Sequence, residues 1–273
     1  MGNIKFTKTV GSGNDFIVID NRAGKLKSLV SDFSDFAKRV CERKLSIGAD
    51  GVLVLDESRK SNFKMRIFNP DGSEVTMCGN GARCAALYAS QNGWCKGDVK
   101  IETGAGIISA GINGNNVKLK MTDPIHVTLN KDLGIGKSLV KAHFINTGVP
   151  HVVHFLDNVD DYPVREMGAK IRYHKAFEPD GTNANFVKVM GTNRIKVRTY
   201  ERGVEDETLA CGTGAVASAV VSYLVNGIQP PIEVLTKSGD MLRIYFQAKN
   251  EKVSTIYLEG PAKIIYEGGI EYV

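Results

Sequence analysis

Apolar and polar residues alternate over many short stretches of this chain, and Gly, Asn or Asp bounds most of them. Such alternation is typical of β-strands with one buried face. In the first half it predicts strands at Phe16–Ile19, Val52–Leu55, Phe63–Phe68, Val99–Glu102 and Val117–Met121. In the second half it predicts strands in NFVKVM, RIKVRTY, MLRIYF and TIYLEG. The chain is therefore expected to contain many short strands and few helices.

Three segments instead show helical patterns. Phe33, Phe36 and Val40 recur at helical spacing and predict an amphipathic helix over Asp32–Lys44. The other two segments, GARCAALYASQNG and GAVASAVVSYLVNG, are rich in alanine, apolar almost all round, and end on Asn-Gly. Helices of this kind are typically buried, and a glycine commonly ends them.

The sequence that leads into each apolar helix is repeated. The pattern E-x-x-x-C-G-x-G-A begins at Glu74 and again at Glu207, so Cys78 and Cys211 lie 133 residues apart in a chain of 273. Three further pairs occur in the same order: FKMRIFN with IKVRTYE, TGAG with TKSG, and GSGNDFIVID with GVPHVVHFLD. Repeated landmarks indicate two copies of one domain, and the join is predicted near Met121–Val127.

Each repeated cysteine is predicted at the amino terminus of a buried helix. The first N–H groups of a helix have no intrahelical partner, and the helix dipole favours negative charge at that end. The thiol pKa should therefore fall below ~8.5, and the N–H groups of Gly79, Asn80, Gly212 and Thr213 could hold a carboxylate. If the halves are related by a pseudo-twofold axis, a planar carbanion would have one sulfur on each face. This arrangement suits removal of a proton next to a carboxylate and its return on the opposite face.

Composition excludes several other classes of protein. The net charge of +5 is interleaved with acidic residues, which indicates a solvated surface and no nucleic-acid groove. No apolar run reaches the ~18 residues of a membrane span, and MGNIKFTKTV lacks a secretory signal, so a cytoplasmic protein without membrane contact is expected. Five cysteines without C-x-x-C fit neither a disulfide framework nor a zinc site, so no metal is expected. Cys41, Cys84 and Cys95 are interpreted as small buried hydrophobic residues.

Four linked motifs, NPDGSEVTMCGNGARC, TGVPH, ERGVEDETLACGTG and GSGNDF, together resemble the diaminopimelate epimerase family over essentially the whole chain. The resemblance implies an α/β (α+β) fold of two pseudo-symmetric domains, each a curved mixed, largely antiparallel sheet or barrel wrapped around a central helix. It implies domains at residues 1–122 and 123–261, with a final strand over 262–273 that returns to the first domain. It also implies a homodimer that interconverts LL- and meso-diaminopimelate without a cofactor, in lysine and peptidoglycan precursor biosynthesis.

The resemblance also suggests roles for single residues. Cys78 and Cys211 match the family's catalytic acid/base pair, and His151 and Glu201 match its auxiliary polar pair. The remaining matches are substrate contacts, namely Asn14, Asn69, Asn183 and Arg202, with Arg202 on the distal carboxylate, and the carboxylate cradle of Gly79, Asn80, Gly212 and Thr213. Two positions depart from the pattern, because Val149 stands where the family often has asparagine and Val10 where it often has histidine.

Two alternatives remain open at this stage. One is a cofactor-independent racemase of proline, hydroxyproline or histidine on the same fold, with a different distal pocket. The other is a dithiol redox protein that uses Cys78 and Cys211. A redox role predicts activity tied to disulfide turnover, whereas an epimerase should be most active when fully reduced.

Overall fold

The computed structural model describes residues 2–136, 138–249 and 252–272. Its strands in chain order are β1 Gly2–Gly11, β2 Asn14–Asp20, β3 Gly51–Asp56, β4 Phe63–Phe68, β5 Glu74–Val75, β6 Asp98–Thr103, β7 Gly106–Asn113, β8 Asn116–Lys120, β9 Ile125–Ile135, β10 Ser138–Asn146, β11 Pro150–Phe155, β12 Asn183–Val189, β13 Arg194–Glu201, β14 Asp206–Thr208, β15 Ile232–Leu235, β16 Met241–Lys249, β17 Lys252–Pro261 and β18 Lys263–Tyr272. Its α-helices are α1 Phe33–Cys41, α2 Gly79–Gln91, α3 Val164–Arg172 and α4 Gly212–Asn226, with 3-10 turns at Lys25–Ser28 and Lys175–Phe177.

The chain divides into two compact units. Unit 1 comprises Met1–Leu119 with Gly260–Val273, and unit 2 comprises Lys120–Glu259. The final strand β18 pairs antiparallel with β1, while Val273 itself lies outside the described residues. No helix in the described ranges is both long and apolar enough to cross a membrane.

Unit 1 is one mixed sheet around α2. Its strand order is β8-β7-β6-β4-β3-β2-β1-β18, and neighbours are antiparallel except for the parallel pairs β2–β3 and β4–β6. The helix contacts β1, β2, β3, β4, β6, β7 and β18. Ala82, Cys84, Ala85 and Ala86 of this helix are completely buried, because their small side chains let the strands approach the helix from several sides.

Unit 2 repeats this topology. Its strand order is β17-β16-β15-β13-β12-β11-β10-β9, and the parallel pairs are β11–β12 and β13–β15, at the same places in the order as in unit 1. The helix α4 contacts β10, β11, β12, β13, β15 and β16. Val216, Val220 and Val221 on α4 are fully buried, and each such side chain contributes roughly 1.5–3 kcal/mol relative to exposure. The fold expected from the sequence, two repeated units with a mixed sheet around a central helix, is confirmed.

The predicted helices are found with small changes at their ends. Asp32 caps α1 by accepting hydrogen bonds from the N–H groups of Ser34 and Asp35, as expected of an N-cap aspartate. The helix ends at Cys41, three residues before the predicted end, because Glu42 takes an extended conformation. Helix α4 ends at Asn226, and its C-cap Gly227 has a φ of 70°, the left-handed conformation that the Asn-Gly pair predicted.

Two elements of unit 2, β9 and α3, are not predicted by the pattern of apolar and polar residues. Strand β9 is largely exposed and therefore lacks the alternation of a half-buried strand. Helix α3 carries Gly168 near its centre, a residue that disfavours helix in isolation. Gly168 is needed there because a Cβ at this position would lie 2.3 Å from the Tyr200 Cβ on β13. Tertiary packing of α3 against β13 therefore outweighs the local preference.

We predict that Gly168→Ala destabilises the protein by about 1–3 kcal/mol, since the clash involves the stem of a buried side chain and cannot be relieved at its tip. Chemical denaturation of the purified chain measures the difference in the free energy of unfolding. Gly191→Ala is the matched control, because a Cβ there would contact nothing within 4 Å. Equal denaturation midpoints for the two variants would contradict the packing argument.

Candidate active site

Each repeated cysteine occupies the N-cap of the central helix in its own unit, as the sequence predicted. Cys78 precedes α2, and its Sγ accepts a hydrogen bond from the Gly81 N–H at 3.5 Å. Cys211 precedes α4, and its Sγ lies 3.5 Å from Thr213 Oγ1. The two thiols therefore have equivalent backbone positions but different hydrogen-bond partners.

The cradle residues lie in the first turn after each cysteine. The first intrahelical bonds run from Ala82 N to Cys78 O and from Ala215 N to Cys211 O, both at 2.8 Å. The N–H groups before them, on Gly79 with Asn80 and on Gly212 with Thr213, stand at the positive end of a helix and suit an anion. A Cβ on Gly79 would meet nothing within 4 Å, so the space beside this helix end is open.

The repeated glutamate has the same structural role in both units. In unit 1, Arg66 on β4 binds Glu74 through two N–H···O bonds of 2.8 Å. In unit 2, Arg198 on β13 binds Glu207 in the same bidentate way, at 2.6 and 2.8 Å. These pairs fasten the segment that leads into each cysteine to the neighbouring strand. We call each of these pairs, Arg66–Glu74 and Arg198–Glu207, an Arg–Glu clamp. The repeated sequence therefore contains this clamp as well as the start of a helix.

In unit 1 a polar network joins two of the predicted substrate-binding residues. Asn80 Nδ2 donates to Asn14 Oδ1 at 2.5 Å, and Asn14 Nδ2 donates to Asp50 at 3.1 Å. Arg83, whose side chain is completely buried, donates to Asn80 Oδ1 and to Ser12 Oγ, both at 2.8 Å. Arg83 and Ser12 are not among the site residues predicted from the sequence. A lone arginine in the apolar segment GARCAAL was the available signal.

Asn69 lies apart from this network. It occupies the turn after β4, where its Nδ2 donates to Ser73 Oγ at 3.0 Å and its backbone N–H donates to Ser73 O at 2.9 Å. These bonds shape the turn between Arg66 and Glu74. A direct substrate contact by Asn69 stays a prediction.

In unit 2 the structure brings His151 beside Thr213, which in turn contacts Cys211. His151 Nε2 lies 3.0 Å from Thr213 Oγ1, and His151 Nδ1 lies 3.1 Å from Asn185 Nδ2. The ring is completely buried. Burial, together with the positive charge of Arg202, lowers the pKa of His151 to about 3. The imidazole is therefore neutral at physiological pH.

Glu201 is the last residue of β13, and Arg202 follows it in the turn. Glu201 accepts a hydrogen bond from Thr208 Oγ1 at 3.0 Å and also bonds the Cys211 side chain. Burial raises the pKa of Glu201, and these two bonds offset the rise in part. Arg202 donates to the Asp180 carbonyl at 3.0 Å. It forms no salt bridge within the described part of the chain.

Asn183 positions Arg202 from the neighbouring strand. Its Oδ1 accepts from the Arg202 backbone N–H, and its Nδ2 donates to the Pro150 carbonyl, both at 2.8 Å. Asn185 follows two residues later on the same face of β12 and repeats this bridge to β11 through the Val152 carbonyl. Asn185 is not among the site residues predicted from the sequence, although the alternation TNANF was the available signal.

The remaining cysteines differ from the repeated pair. Burial raises the pKa of Cys41 and of Cys84 to about 12, which keeps both thiols protonated and unreactive. Cys95 is only half-buried, in contrast to the buried position expected for it, because it lies in the loop between α2 and β6.

Among the described residues, no group of three or more His, Cys, Asp or Glu side chains could hold a metal ion.

Solved structures with a similar fold have distant sequences. A phenazine biosynthesis protein of the PhzF family from Bacillus anthracis superposes with a TM-score of 0.75 at 17% identity, covering 99% of this chain and 100% of that chain. A hydroxyproline epimerase from Agrobacterium vitis, with bound trans-4-hydroxy-L-proline, gives a TM-score of 0.71 at 14% identity over 98% and 91% of the two chains. At these identities the likeness shows the shared fold alone.

Sequence comparison identifies much nearer relatives. A diaminopimelate epimerase from Aquifex aeolicus is 43% identical and covers 97% of each chain. Another, from Methanocella arvoryzae, is 44% identical over 99% of this chain and 98% of its own length. The family model for diaminopimelate epimerase matches residues 6–127 and 143–265, once in each half of the chain. Because the matches span both repeats, this chain belongs to the diaminopimelate epimerase family.

Proposed function

We propose that this protein interconverts LL- and meso-diaminopimelate and that Cys78 and Cys211 are the acid/base pair. The observation that carries the proposal is the duplicated helix N-terminus, each with a cysteine N-cap followed by two cradle residues. Family membership supports the substrate and the reaction.

The reaction requires two groups of the same kind in opposite protonation states. The thiolate of one cysteine takes the proton from the α-carbon and becomes a thiol, which leaves an electron pair delocalised into the carboxylate. The thiol of the other cysteine gives its proton to the opposite face and becomes a thiolate. Atoms and electrons balance without an oxidant or a cofactor, and the product leaves the two cysteines in exchanged protonation states.

The first-turn N–H groups of Gly79, Asn80, Gly212 and Thr213 would hold the carboxylate at the reacting end. Their hydrogen bonds strengthen as negative charge develops on the carboxylate, so they lower the barrier as well as bind the substrate. Asn14 contributes through its bond to Asn80, which fixes the first turn of α2.

The auxiliary pair acts on Cys211 in different ways. The carboxyl group of Glu201 bonds the Cys211 side chain directly, so it can share the thiol proton as the charge on sulfur changes. His151 is linked to Cys211 through Thr213. Because its imidazole is neutral, it acts by hydrogen bonding and adds no positive charge.

Arg202 would bind the distal carboxylate of the substrate. Its guanidinium is held by one bond to the Asp180 carbonyl, and its backbone by Asn183. A guanidinium binds a carboxylate through two parallel N–H···O bonds. Asn69 and Asn183 complete the proposed set of substrate contacts.

We further propose, from family resemblance, a cytoplasmic homodimer in lysine and cell-wall precursor synthesis that binds neither nucleic acid nor a membrane. Analytical ultracentrifugation of the reduced protein measures the oligomeric state. A monomer that is fully active would refute the dimer without affecting the chemistry.

We predict that Cys78→Ser and Cys211→Ser each reduce inversion of diaminopimelate by about 100- to 10,000-fold, because a serine hydroxyl is a far weaker base than a thiolate. Proton NMR in heavy water follows loss of the α-proton and growth of the meso isomer from LL substrate.

Cys95→Ser is the matched control, since Cys95 lies in a surface loop, and it should invert the substrate at the wild-type rate. L-Histidine and L-proline are the comparison substrates, and they should keep their α-protons. Wild-type inversion rates in either active-site variant would remove the two-thiol assignment. Exchange of histidine or proline in place of diaminopimelate would refute the substrate alone.

We also predict that Arg202→Lys raises the KM for diaminopimelate about tenfold and changes kcat less, because the distal carboxylate is bound equally in the ground and transition states. Initial rates over a range of substrate concentrations separate the two constants. Arg194→Lys, at an exposed ion pair with Glu233 in the same unit, should leave both constants unchanged. A loss confined to kcat would place Arg202 at the reacting end.

A further inference from the structure

Asn185 is a buried amide that bridges β12, β11 and the first turn of α4. Its Nδ2 donates to the Val152 carbonyl at 2.9 Å, and its Oδ1 accepts from Thr199 Oγ1 at 3.0 Å. Because a carbonyl can only accept, the bond to Val152 fixes which end of the amide faces β11. The absence of a side chain at Gly214 is what admits Asn185 here, since a Cβ would lie 2.4 Å from Asn185 Oδ1.

The orientation of Asn185 determines the tautomer of His151. The nitrogen of the amide lies 3.1 Å from His151 Nδ1, and an amide N–H can only donate, so Nδ1 must be the acceptor. A neutral imidazole that accepts at Nδ1 carries its proton at Nε2. His151 Nε2 therefore donates to Thr213 Oγ1, which lies 3.0 Å away.

The direction of this bond decides what Thr213 can do for Cys211. A hydroxyl has one proton and two acceptor sites, and His151 donates to one of those sites, so the hydroxyl proton is not used in this bond. That proton is available for Cys211 Sγ, 3.5 Å from the oxygen. A hydrogen bond donated to sulfur stabilises the thiolate relative to the thiol. The backbone carbonyl of Thr213 is itself held by Thr147 Oγ1 at 3.0 Å, which fixes the hydroxyl in place.

Unit 1 has no equivalent of this chain within its described residues. The residue two positions after Cys78 is Asn80, and its side chain bonds Asn14 and Arg83. The Cys78 sulfur accepts a hydrogen bond from the Gly81 backbone N–H. The side chains two positions after the two cysteines therefore have different partners.

We propose that Asn185 is a positioning residue that keeps the proton of the neutral His151 ring on Nε2. His151 Nε2 then donates to the Thr213 hydroxyl, and the hydroxyl donates to Cys211 Sγ and stabilises its thiolate. This role for Asn185 rests on the proposed function, which assigns Cys211 to the acid/base pair. The charged groups that face this chain are Glu201, which bonds Cys211, and Arg202, whose charge acts on His151. Both are unchanged in the variants below, so they contribute equally to every measurement.

The first test measures the ionisation of Cys211 in the full-length protein. Iodoacetamide alkylation is followed across pH, and peptide mass spectrometry separates Cys211 from Cys78. Thr213→Val should raise the midpoint of the Cys211 profile by about one pH unit. At a fixed pH below both midpoints, the variant would then have about tenfold less thiolate at Cys211 than the wild type. Asn185→Leu should raise it by about half a unit, because the hydroxyl remains but loses its fixed direction.

Three controls separate this effect from simple loss of structure. Thr213→Ser keeps the hydroxyl and should return the Cys211 midpoint to the wild-type value. Thr199→Val removes a bond to the same asparagine but leaves its two N–H donations, so it should cost stability without moving the midpoint. The Cys78 midpoint, read in the same digests, should stay constant in every variant.

The second test observes the tautomer directly and needs no enzymatic activity. The ¹⁵N chemical shifts of His151, assigned by comparison with His151→Gln, should show a protonated Nε2 and an unprotonated Nδ1 in the wild type. A protonated Nδ1 would overturn the proposal, and so would a Cys211 midpoint that is unchanged in folded Thr213→Val. A protein that passes both tests but leaves diaminopimelate unchanged would refute the proposed function and not this hydrogen-bond chain.

Discussion

A helix enclosed by a curved sheet lies mostly against apolar strands, and its first N–H groups are left without partners inside the helix. This constraint applies to both units. Residues along α2 and α4 are buried against strands on several sides, so the sides of the helix offer no place for a charged ligand. The N-terminal turn is the exception, because its N–H groups have no partner within the helix. Cysteine at the N-cap places a thiol at this polar end of each helix.

The Arg–Glu clamp explains why the repeat extends upstream of the cysteine. Arg66 with Glu74, and Arg198 with Glu207, fasten the approach to each helix onto the strand before it. Both pairs are bidentate, which fixes their geometry. The Arg198–Glu207 pair is also shielded from solvent, whereas Glu74 is exposed. The cysteine is thereby held between a fixed strand and a fixed helix.

Duplication has preserved the backbone and changed the side chains around each sulfur. Asn80 and Thr213 occupy the same position after their cysteines, yet Asn80 turns toward Asn14 and Arg83, while Thr213 lies between His151 and Cys211. A reaction that needs one thiol and one thiolate at the start of each turnover does not require identical surroundings. The proposed mechanism requires that each sulfur can carry either protonation state. The Gly81 backbone N–H lies beside Cys78, and the Thr213 hydroxyl lies beside Cys211.

The sequence by itself determined the repeated units, the two buried helices and the position of each cysteine at a helix start, because periodicity, glycine stops and N-cap chemistry act over a few neighbouring residues. The motif residues His151, Glu201 and Arg202 were also identified, since they stand next to recognisable landmarks. Only the tertiary structure decided that Asn185 bonds His151, that buried Arg83 holds Asn80, and that Gly168 permits α3 to pack on Tyr200. These contacts join residues on different strands and helices, and sheet register and close packing fix them where no local pattern can.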